Sequence, residues 1–192
     1  YDVNNNKAGV NSHNIRITNG SYCFDIKVKE QLIKDVVLNM GGMHNIENTI
    51  AALAVFDLLN LDIEKVKLAV AAFKGVKRRF EYIIKNDHIV YIDDYAHHPE
   101  ELKMLISSAK TLFKGRKVSV VFQPHLFTRT RDFVDGFAES LDLADEVILL
   151  EIYPARELPI EGVTSEIILN KMSLNNKHIL SNECRSIITV GF

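Results

Sequence analysis

Residues 117–122 read Lys-Val-Ser-Val-Val-Phe, and the polar segment Gln-Pro-His-Leu-Phe-Thr-Arg-Thr follows at once at residues 123–130. An apolar run of this length is typical of a strand that is covered on both faces of a parallel sheet. Another such strand is predicted at Glu146–Leu150, and helical spacing of apolar side chains predicts helices at Pro99–Phe113 and Arg131–Leu143. This alternation predicts an α/β domain with a Rossmann-like, doubly wound and mainly parallel sheet.

The pattern upstream of this domain is different. Residues 1 to about 40 alternate apolar and polar side chains, which predicts β-strands with a polar loop at residues 4–7. Asn19-Gly20 predicts a tight hairpin turn between two of the strands. An Ala- and Leu-rich helix is predicted at Asn48–Leu59, and Asp62 is placed to cap a second helix.

A short basic stretch at residues 77–79, Lys-Arg-Arg, separates the two patterns and is interpreted as a domain boundary. The sequence therefore predicts two domains: residues 1–78, with β segments and two helices, and residues 79–192, with the parallel sheet. The remaining predicted elements of the second domain are a hairpin of strands 80–84 and 89–92, a helix at 165–172 and a strand at 178–180.

Bulk properties argue against several classes of protein. The formal net charge of −2 gives no general attraction for nucleic acid or anionic lipid, and no apolar run approaches the roughly 20 residues that span a bilayer. Cys23 and Cys184 lack metal-ligand spacing and are interpreted as reduced thiols of a cytoplasmic protein. The chain begins at Tyr1 without a methionine and ends in an apolar run, which we interpret as a fragment of a longer protein.

Unusual polar segments follow three of the predicted strands. They are Asp-Asp-Tyr-Ala-His-His-Pro at 93–99, Gln-Pro-His-Leu-Phe-Thr-Arg-Thr at 123–130 and Glu-Ile-Tyr-Pro-Ala-Arg-Glu at 151–157. Connections of this kind are usually short and rich in turn-forming residues, whereas these carry His, Arg, Asp and Tyr. Because ligands bind beyond the carboxyl ends of the strands of an open parallel sheet, we expect the three segments to form one site at one edge of one sheet.

The charged residues of these segments allow two interpretations each. Asp93 and Asp94 can accept hydrogen bonds from ribose hydroxyl groups, or they can form the turn and cap before the following helix. Arg129 and Arg156 can bind a carboxylate or a phosphate, or they can be solvated charges near a helix end. For Arg131 the solvated interpretation is preferred.

Three histidines in these segments suggest a metal site, but their spacing along the chain does not favour one. His97 and His98 are adjacent in a loop and cannot easily both point at one ion, and no cysteine or carboxylate completes a zinc pattern with His125. A histidine that contacts a substrate is preferred.

Polar residues before the first predicted helix are a further candidate site. Asn45 and Asn48 are three residues apart and could meet an adenine edge, but a helix cap and a polar turn explain them at least as well. The basic stretch at 77–79 could contact phosphates or be an exposed linker. The chain contains no Gly-x-x-x-x-Gly-Lys-Ser/Thr, so it cannot build a P-loop of its own.

Five segments, taken in order, resemble the Mur ligase family over roughly Ile15 to Met172. Each is modest alone, but together they are highly specific. The segments are G-x-H-N-x-x-N-x-x-A-A at 42–52, F-x-G-V-x-R-R-F-E at 73–81, D-D-Y-A-H-H-P at 93–99, Q-P-H-x-x-T-R-T at 123–130 and I-Y-P-A-R-E at 152–157.

The resemblance implies part of an ATP- and Mg²⁺-dependent ligase of cytoplasmic peptidoglycan synthesis that phosphorylates UDP-N-acetylmuramate and joins it to L-alanine. Residues 1–78 would end the central ATP-binding domain, and residues 79–192 would be the Rossmann-like amino-acid-binding domain, truncated at its end. The residues implied in nucleotide binding are His44, Asn45, Asn48, Arg79, Asp93 and Asp94. Those implied to face L-alanine are Tyr95, His97, His125 and Arg129, whose guanidinium would pair with the carboxylate.

The chain also departs from the family. Leu126 stands where some members have arginine, so carboxylate binding would depend more on Arg129. No side chain of this chain is assigned a catalytic role or a metal, because the P-loop and the Mg²⁺ ligands of the central domain are expected outside it. We therefore expect no ligase activity from the 192 residues alone. The alternatives are a ligase that attaches a murein tripeptide to the same nucleotide during recycling, and a nucleotide-binding module without catalysis.

Overall fold

The computed structural model describes residues 8–29, 31–59 and 61–180, which form two compact units. The first unit contains the residues up to Glu81 together with Thr111–Phe113, and the second contains Tyr82–Lys110 and the residues from Lys114 onward. The polar loop that the sequence predicts at residues 4–7 lies outside the described residues. No helix in the described part of the chain is long and apolar enough to span a membrane.

The first unit begins with an antiparallel sheet of three strands, β1 (Val10–Thr18), β2 (Ser21–Val28) and β3 (Gln31–Leu38), in that order. Asn19 and Gly20 both have positive φ, 49° and 68°, as a two-residue hairpin turn of the primed type requires. The predicted hairpin is therefore confirmed.

Two helices, α1 (Met43–Leu58) and α2 (Ile63–Ala72), follow the sheet. The carboxylate of Asp62 accepts the first free backbone N–H groups of α2, which confirms the predicted cap. Helix α1 begins five residues before the predicted start, so that prediction is wrong. The polar run before Asn48 is typical of a loop, yet it forms the first turn of the helix, and Ile46 within it is fully buried.

The second unit contains the predicted hairpin, β4 (Glu81–Lys85) and β5 (Val90–Asp93), which form a two-stranded sheet. Helix α3 (Pro99–Leu112) leads to β6 (Ser119–Phe122), and β7 (Glu146–Leu150) is the next strand. With β8 (Lys177–Leu180) they form a parallel sheet of order β6-β7-β8. The predicted parallel α/β architecture is confirmed.

The expectation that all three polar segments leave one sheet is wrong. Strand β5 makes no ladder with β6 among the described residues, and residues of both strands line a cavity of about 530 Å³. A β-α-β sequence pattern constrains the hand of the connection, but it does not decide whether the two strands are neighbours. The cavity is lined by apolar side chains of α3 and of both strands, and Asp93 and Asp94 lie on its wall.

Three short helices cover the parallel sheet: α4 (Phe127–Asp132), α5 (Val134–Leu141) and α6 (Glu166–Lys171). The single helix predicted at Arg131–Leu143 is therefore wrong, because Phe133 leaves the helical conformation and divides it. The core that fixes these helices on the sheet is formed by Leu102, Ile106, Phe122, Phe137, Leu141, Val147, Leu149 and Ile168.

Candidate functional site

The segments after β6 and β7 continue side by side beyond the strands. The backbone N–H of Tyr153 donates to the carbonyl of Pro124 at 2.8 Å, and the N–H of Leu126 donates to the carbonyl of Tyr153 at 3.0 Å. His125 and Tyr153 form an isolated parallel bridge, and their rings stack with centroids 5.5 Å apart. The ladder thus places an imidazole and a phenol ring together on the predicted strand-end site.

Arg129, on α4, lies one helical turn beyond His125. Its guanidinium Nη1 is 3.4 Å from His125 Nδ1. Partial burial, then the charge of Arg129 and then that of His97, lowers the pKa of His125, so its imidazole is neutral at pH 7. Because a guanidinium only donates, Nδ1 of the neutral ring accepts and Nε2 carries the hydrogen.

Glu157, in the segment after β7, holds the first turn of α4. Its carboxylate accepts the backbone N–H of Thr128 at 2.9 Å and also the hydroxyl of the same residue. The hydroxyl bond, followed by the backbone bond, lowers the pKa of Glu157. Leu126, just before the helix, has φ 73° and ψ 133°, a conformation rarely adopted by residues other than glycine. Neighbouring segments therefore force the chain to turn sharply between His125 and Arg129.

The segment after β5 presents His97 beside the same site. Its Nδ1 is 2.9 Å from the carbonyl oxygen of Tyr95 and 3.3 Å from Oε2 of Glu101. The Tyr95 ring is exposed and lies 5.2 Å from the ring of His97. His98 turns the other way and packs its ring edge-on against Phe133. The two adjacent histidines thus have different environments, as the loop argument against a shared metal requires.

Asp93 and Asp94 also differ from each other. The carboxylate of Asp94 accepts the backbone N–H of Ala96 at 2.8 Å, which is the turn-forming role considered for it. Asp93 is half-buried at the end of β5. Both line the cavity between β5 and β6.

The remaining candidates lie in the first unit. Asn45 uses its side chain locally: its Nδ2 donates to the carbonyl of Gly41 at 2.6 Å, and its Oδ1 is 3.4 Å from Nδ2 of Asn48. Asn48, His44 and Arg79 are exposed. Asn45 thus uses its side chain within the first turn of α1, whereas the other three side chains are accessible.

Several residues were not singled out by sequence reasoning. Tyr153, Glu101 and Glu157 hold or flank the candidate residues, and the only signal for them was their presence in or just after the three polar segments. Arg131 pairs with the neighbouring Asp132 at 2.7 Å, in agreement with its solvated interpretation. Within residues 8–29, 31–59 and 61–180, no group of three or more His, Cys, Asp or Glu side chains could hold a metal ion.

The fold is an α/β domain with a parallel sheet, and its imidazole, guanidinium and phenol groups lie beyond the strand ends, where domains of the doubly wound class bind ligands. The chain belongs to the Mur ligase family, because the family described as "Mur ligase, glutamate ligase domain" matches residues 78–189, more than half of the chain.

Curated proteins similar to this chain include two UDP-N-acetylmuramate–L-alanine ligases. The UDP-N-acetylmuramate–L-alanine ligase of Flavobacterium johnsoniae is 48% identical over 179 residues, covering 93% of this chain and 40% of the relative. The ligase of the same name from Parabacteroides distasonis is 50% identical over 172 residues, covering 90% of this chain and 37% of the relative. The chain thus spans about 40% of the length of the curated relatives it matches.

Solved structures agree with the fold. The UDP-N-acetylmuramate-alanine ligase of Thermotoga maritima superimposes with a TM-score of 0.74 at 27% identity, covering 95% of this chain and 41% of that one. The folylpolyglutamate synthase of the same organism gives a TM-score of 0.72 at 22% identity, covering 91% of this chain and 40% of that one. The second likeness concerns the fold alone.

Proposed function

We propose that this chain forms the amino-acid-binding part of an ATP-dependent ligase that joins L-alanine to UDP-N-acetylmuramate in the cytoplasm. The observation that supports this best is the identity of 48% to 50% with curated ligases of that name over at least 90% of the chain. The proposed division of the chain is the one expected from the sequence, with residues 1–78 from the ATP-binding domain and residues 79–192 from the amino-acid-binding domain.

The proposed site for L-alanine is the cluster of Tyr95, His97, His125 and Arg129. Arg129 is half-buried beside a neutral imidazole, so its guanidinium is oriented and partly desolvated before a ligand arrives. A bidentate pair with a carboxylate suits this group, because the planar guanidinium offers two parallel donors. The stacked ring of Tyr153 would form one wall of the site.

The residues proposed to contact ATP are considered in each unit by itself. Asn48, His44 and Arg79 are exposed and could meet the adenine and the phosphates, whereas Asn45 would act mainly by holding the start of α1. Of the two aspartates, Asp93 is the better candidate for a ribose hydroxyl, because Asp94 already accepts a turn hydrogen bond. Mg²⁺ would neutralise charge on the transferred phosphoryl group, held mostly by residues outside this chain.

A hybrid enzyme tests the proposal. In it, residues 1–192 replace the matching segment of the Flavobacterium johnsoniae ligase, and phosphate release from ATP is measured with UDP-N-acetylmuramate and L-alanine. We expect turnover by the hybrid and none by the 192-residue chain alone, which lacks a P-loop. A stable hybrid that does not use L-alanine contradicts the proposal. Turnover by the isolated chain contradicts the expectation that ligase activity needs the P-loop outside these 192 residues.

The murein tripeptide ligase is the alternative from the same family. A murein peptide ligase from Psychrobacter arcticus shares the fold, with a TM-score of 0.51 at 23% identity. Replacing L-alanine by the tripeptide in the hybrid assay discriminates the two, because preferential use of the tripeptide contradicts the proposed substrate. Nucleotide binding without turnover by the hybrid would favour the non-catalytic module.

A further inference from the structure

The hydrogen bonds of His97 assign a different chemical role to each of its ring nitrogens. Both neighbours of Nδ1 are acceptors: the carbonyl oxygen of Tyr95 at 2.9 Å and the carboxylate of Glu101 at 3.3 Å. Nδ1 must therefore carry a hydrogen. In the neutral ring, the other nitrogen, Nε2, then has a free lone pair and is a proton acceptor.

Glu101 is itself fixed by the start of α3. Its Oε2 accepts the backbone N–H of His97 at 2.9 Å and that of His98 at 3.1 Å. Partial desolvation acts to raise the pKa of Glu101, but these backbone bonds and the charges of the two histidines lower it below its ordinary value. An ionised carboxylate thus lies beside the ring, where it would stabilise a positive charge that the ring acquires.

His125 has the opposite arrangement. Its Nδ1 faces the guanidinium of Arg129, so its Nε2 carries the hydrogen and donates. The charge of His97 contributes to lowering the pKa of His125, so a proton that arrives on one ring disfavours a proton on the other. A free acceptor on His97 and donors on His125 and Arg129 match the two ends of an amino acid zwitterion, its ammonium and its carboxylate.

We propose that His97 accepts a proton from the ammonium group of the incoming amino acid, and that Glu101 is the positioning residue that fixes its tautomer. This proposal rests on the proposed function. An N–H bond of the ammonium breaks and an Nε2–H bond forms on His97, while the electron pair stays on the nitrogen. The amine then attacks the carbonyl carbon of the acyl phosphate and forms the N–C bond. Phosphate leaves with the electrons of its C–O bond and accepts the second N–H proton, which leaves a neutral amide. Among the described residues, the titratable groups in contact with the ring or acting on it are Glu101 of α3, Tyr95 and, through its charge, His125 beyond β6.

The tautomer can be measured on the 192-residue chain itself. Long-range ¹H–¹⁵N correlation spectra distinguish a protonated Nδ1 from a protonated Nε2, and we expect the Nδ1–H form for His97. Glu101→Gln should raise the fraction of the other tautomer, whereas the control Glu100→Gln removes a charge from the same exposed turn without touching His97 and should leave it unchanged. A predominant Nε2–H form in the unsubstituted chain overturns the proposal.

The hybrid enzyme tests the proton transfer. His97→Asn keeps a donor close to the position of Nδ1 and removes the base, so kcat should fall by about a hundredfold or more while KM for L-alanine changes little. The loss should shrink as pH rises, because more of the free amine is then present. Glu101→Gln should lower kcat less, and Glu100→Gln should not change it.

The outcomes separate this proposal from the proposed function. Unchanged kcat in the His97→Asn hybrid, or a loss confined to KM, overturns the proton-acceptor role and leaves L-alanine as the substrate. An unsubstituted hybrid that binds nucleotide but does not use L-alanine contradicts the proposed function. It also contradicts the role proposed for His97, which rests on that function.

Discussion

Two groups of candidate residues, one on α1 and one beyond the strands of the second unit, differ in how their polar atoms are used. On α1, Asn45 bonds to Gly41 and Asn48, residues at most four positions away. Beyond the strands, His125 bridges to and stacks on Tyr153 of another segment, and Glu157 of that segment accepts the backbone N–H of Thr128, next to Arg129. Regular spacing on one helix can therefore arise from local hydrogen bonds alone, whereas contacts between separate segments depend on the fold and are the stronger indication of a site.

The largest expected effect is on KM for L-alanine when a candidate residue beyond the strands of the second unit is replaced. Replacing Arg129 with alanine in the hybrid enzyme removes a charge-assisted pair with the carboxylate, so KM for L-alanine should rise about tenfold to a hundredfold. Arg131→Ala is the matched control, because Arg131 lies on the same helix but pairs with Asp132. Equal effects of the two substitutions would remove the distinction between a site arginine and a solvated one.

Substitutions of Asn45 and Asn48 test the candidate residues on α1. Asn45→Ala should lower the free energy of unfolding of the first unit by about 1 kcal/mol, because the Gly41 carbonyl loses its donor. Asn48→Ala should change it by less than about 0.5 kcal/mol and instead weaken nucleotide binding. Urea unfolding followed by amide exchange in α1 measures the first quantity. A larger loss of stability with Asn48→Ala would contradict the structural role given to Asn45.

The Thr128–Glu157 contact should make the stability of the second unit depend on pH. Since the pKa of Glu157 is lowered in the folded state, its contribution is complete above the ordinary glutamate pKa, about 4.3, and is lost as pH falls through the lowered value. Thr128→Val removes the hydroxyl donor and should flatten the acid limb of the unfolding midpoint. The Thr164→Val variant, at an exposed threonine of the same unit, is the control.

The smallest expected effect is a shift in the titration of one imidazole. Proton NMR should place the midpoint of His125 below the ordinary value of about 6.5, and Arg129→Ala should move it upward because a neighbouring positive charge is lost. Arg131→Ala should leave the midpoint in place. A midpoint above the ordinary value would contradict the neutral imidazole that the site requires.

Sequence reasoning located the elements that depend on local chemistry. The turn at Asn19-Gly20, the cap at Asp62 and the strand Glu146–Leu150 were predicted correctly, because each depends on residues adjacent in the chain. The start of α1 and the break at Phe133 were predicted wrongly, because the spacing of apolar residues indicates that a helix exists but not where it begins or is interrupted.

The candidate site also combines features that the local sequence determines with features that it does not. The amino-acid sequence by itself determined the three polar segments, their place after strands, and the family to which the chain belongs. Only the tertiary structure decided that β5 stands apart from the parallel sheet and that Tyr153 stacks on His125. Hydrogen-bond geometry between segments depends on how the elements pack, and spacing along one chain carries no information about that packing.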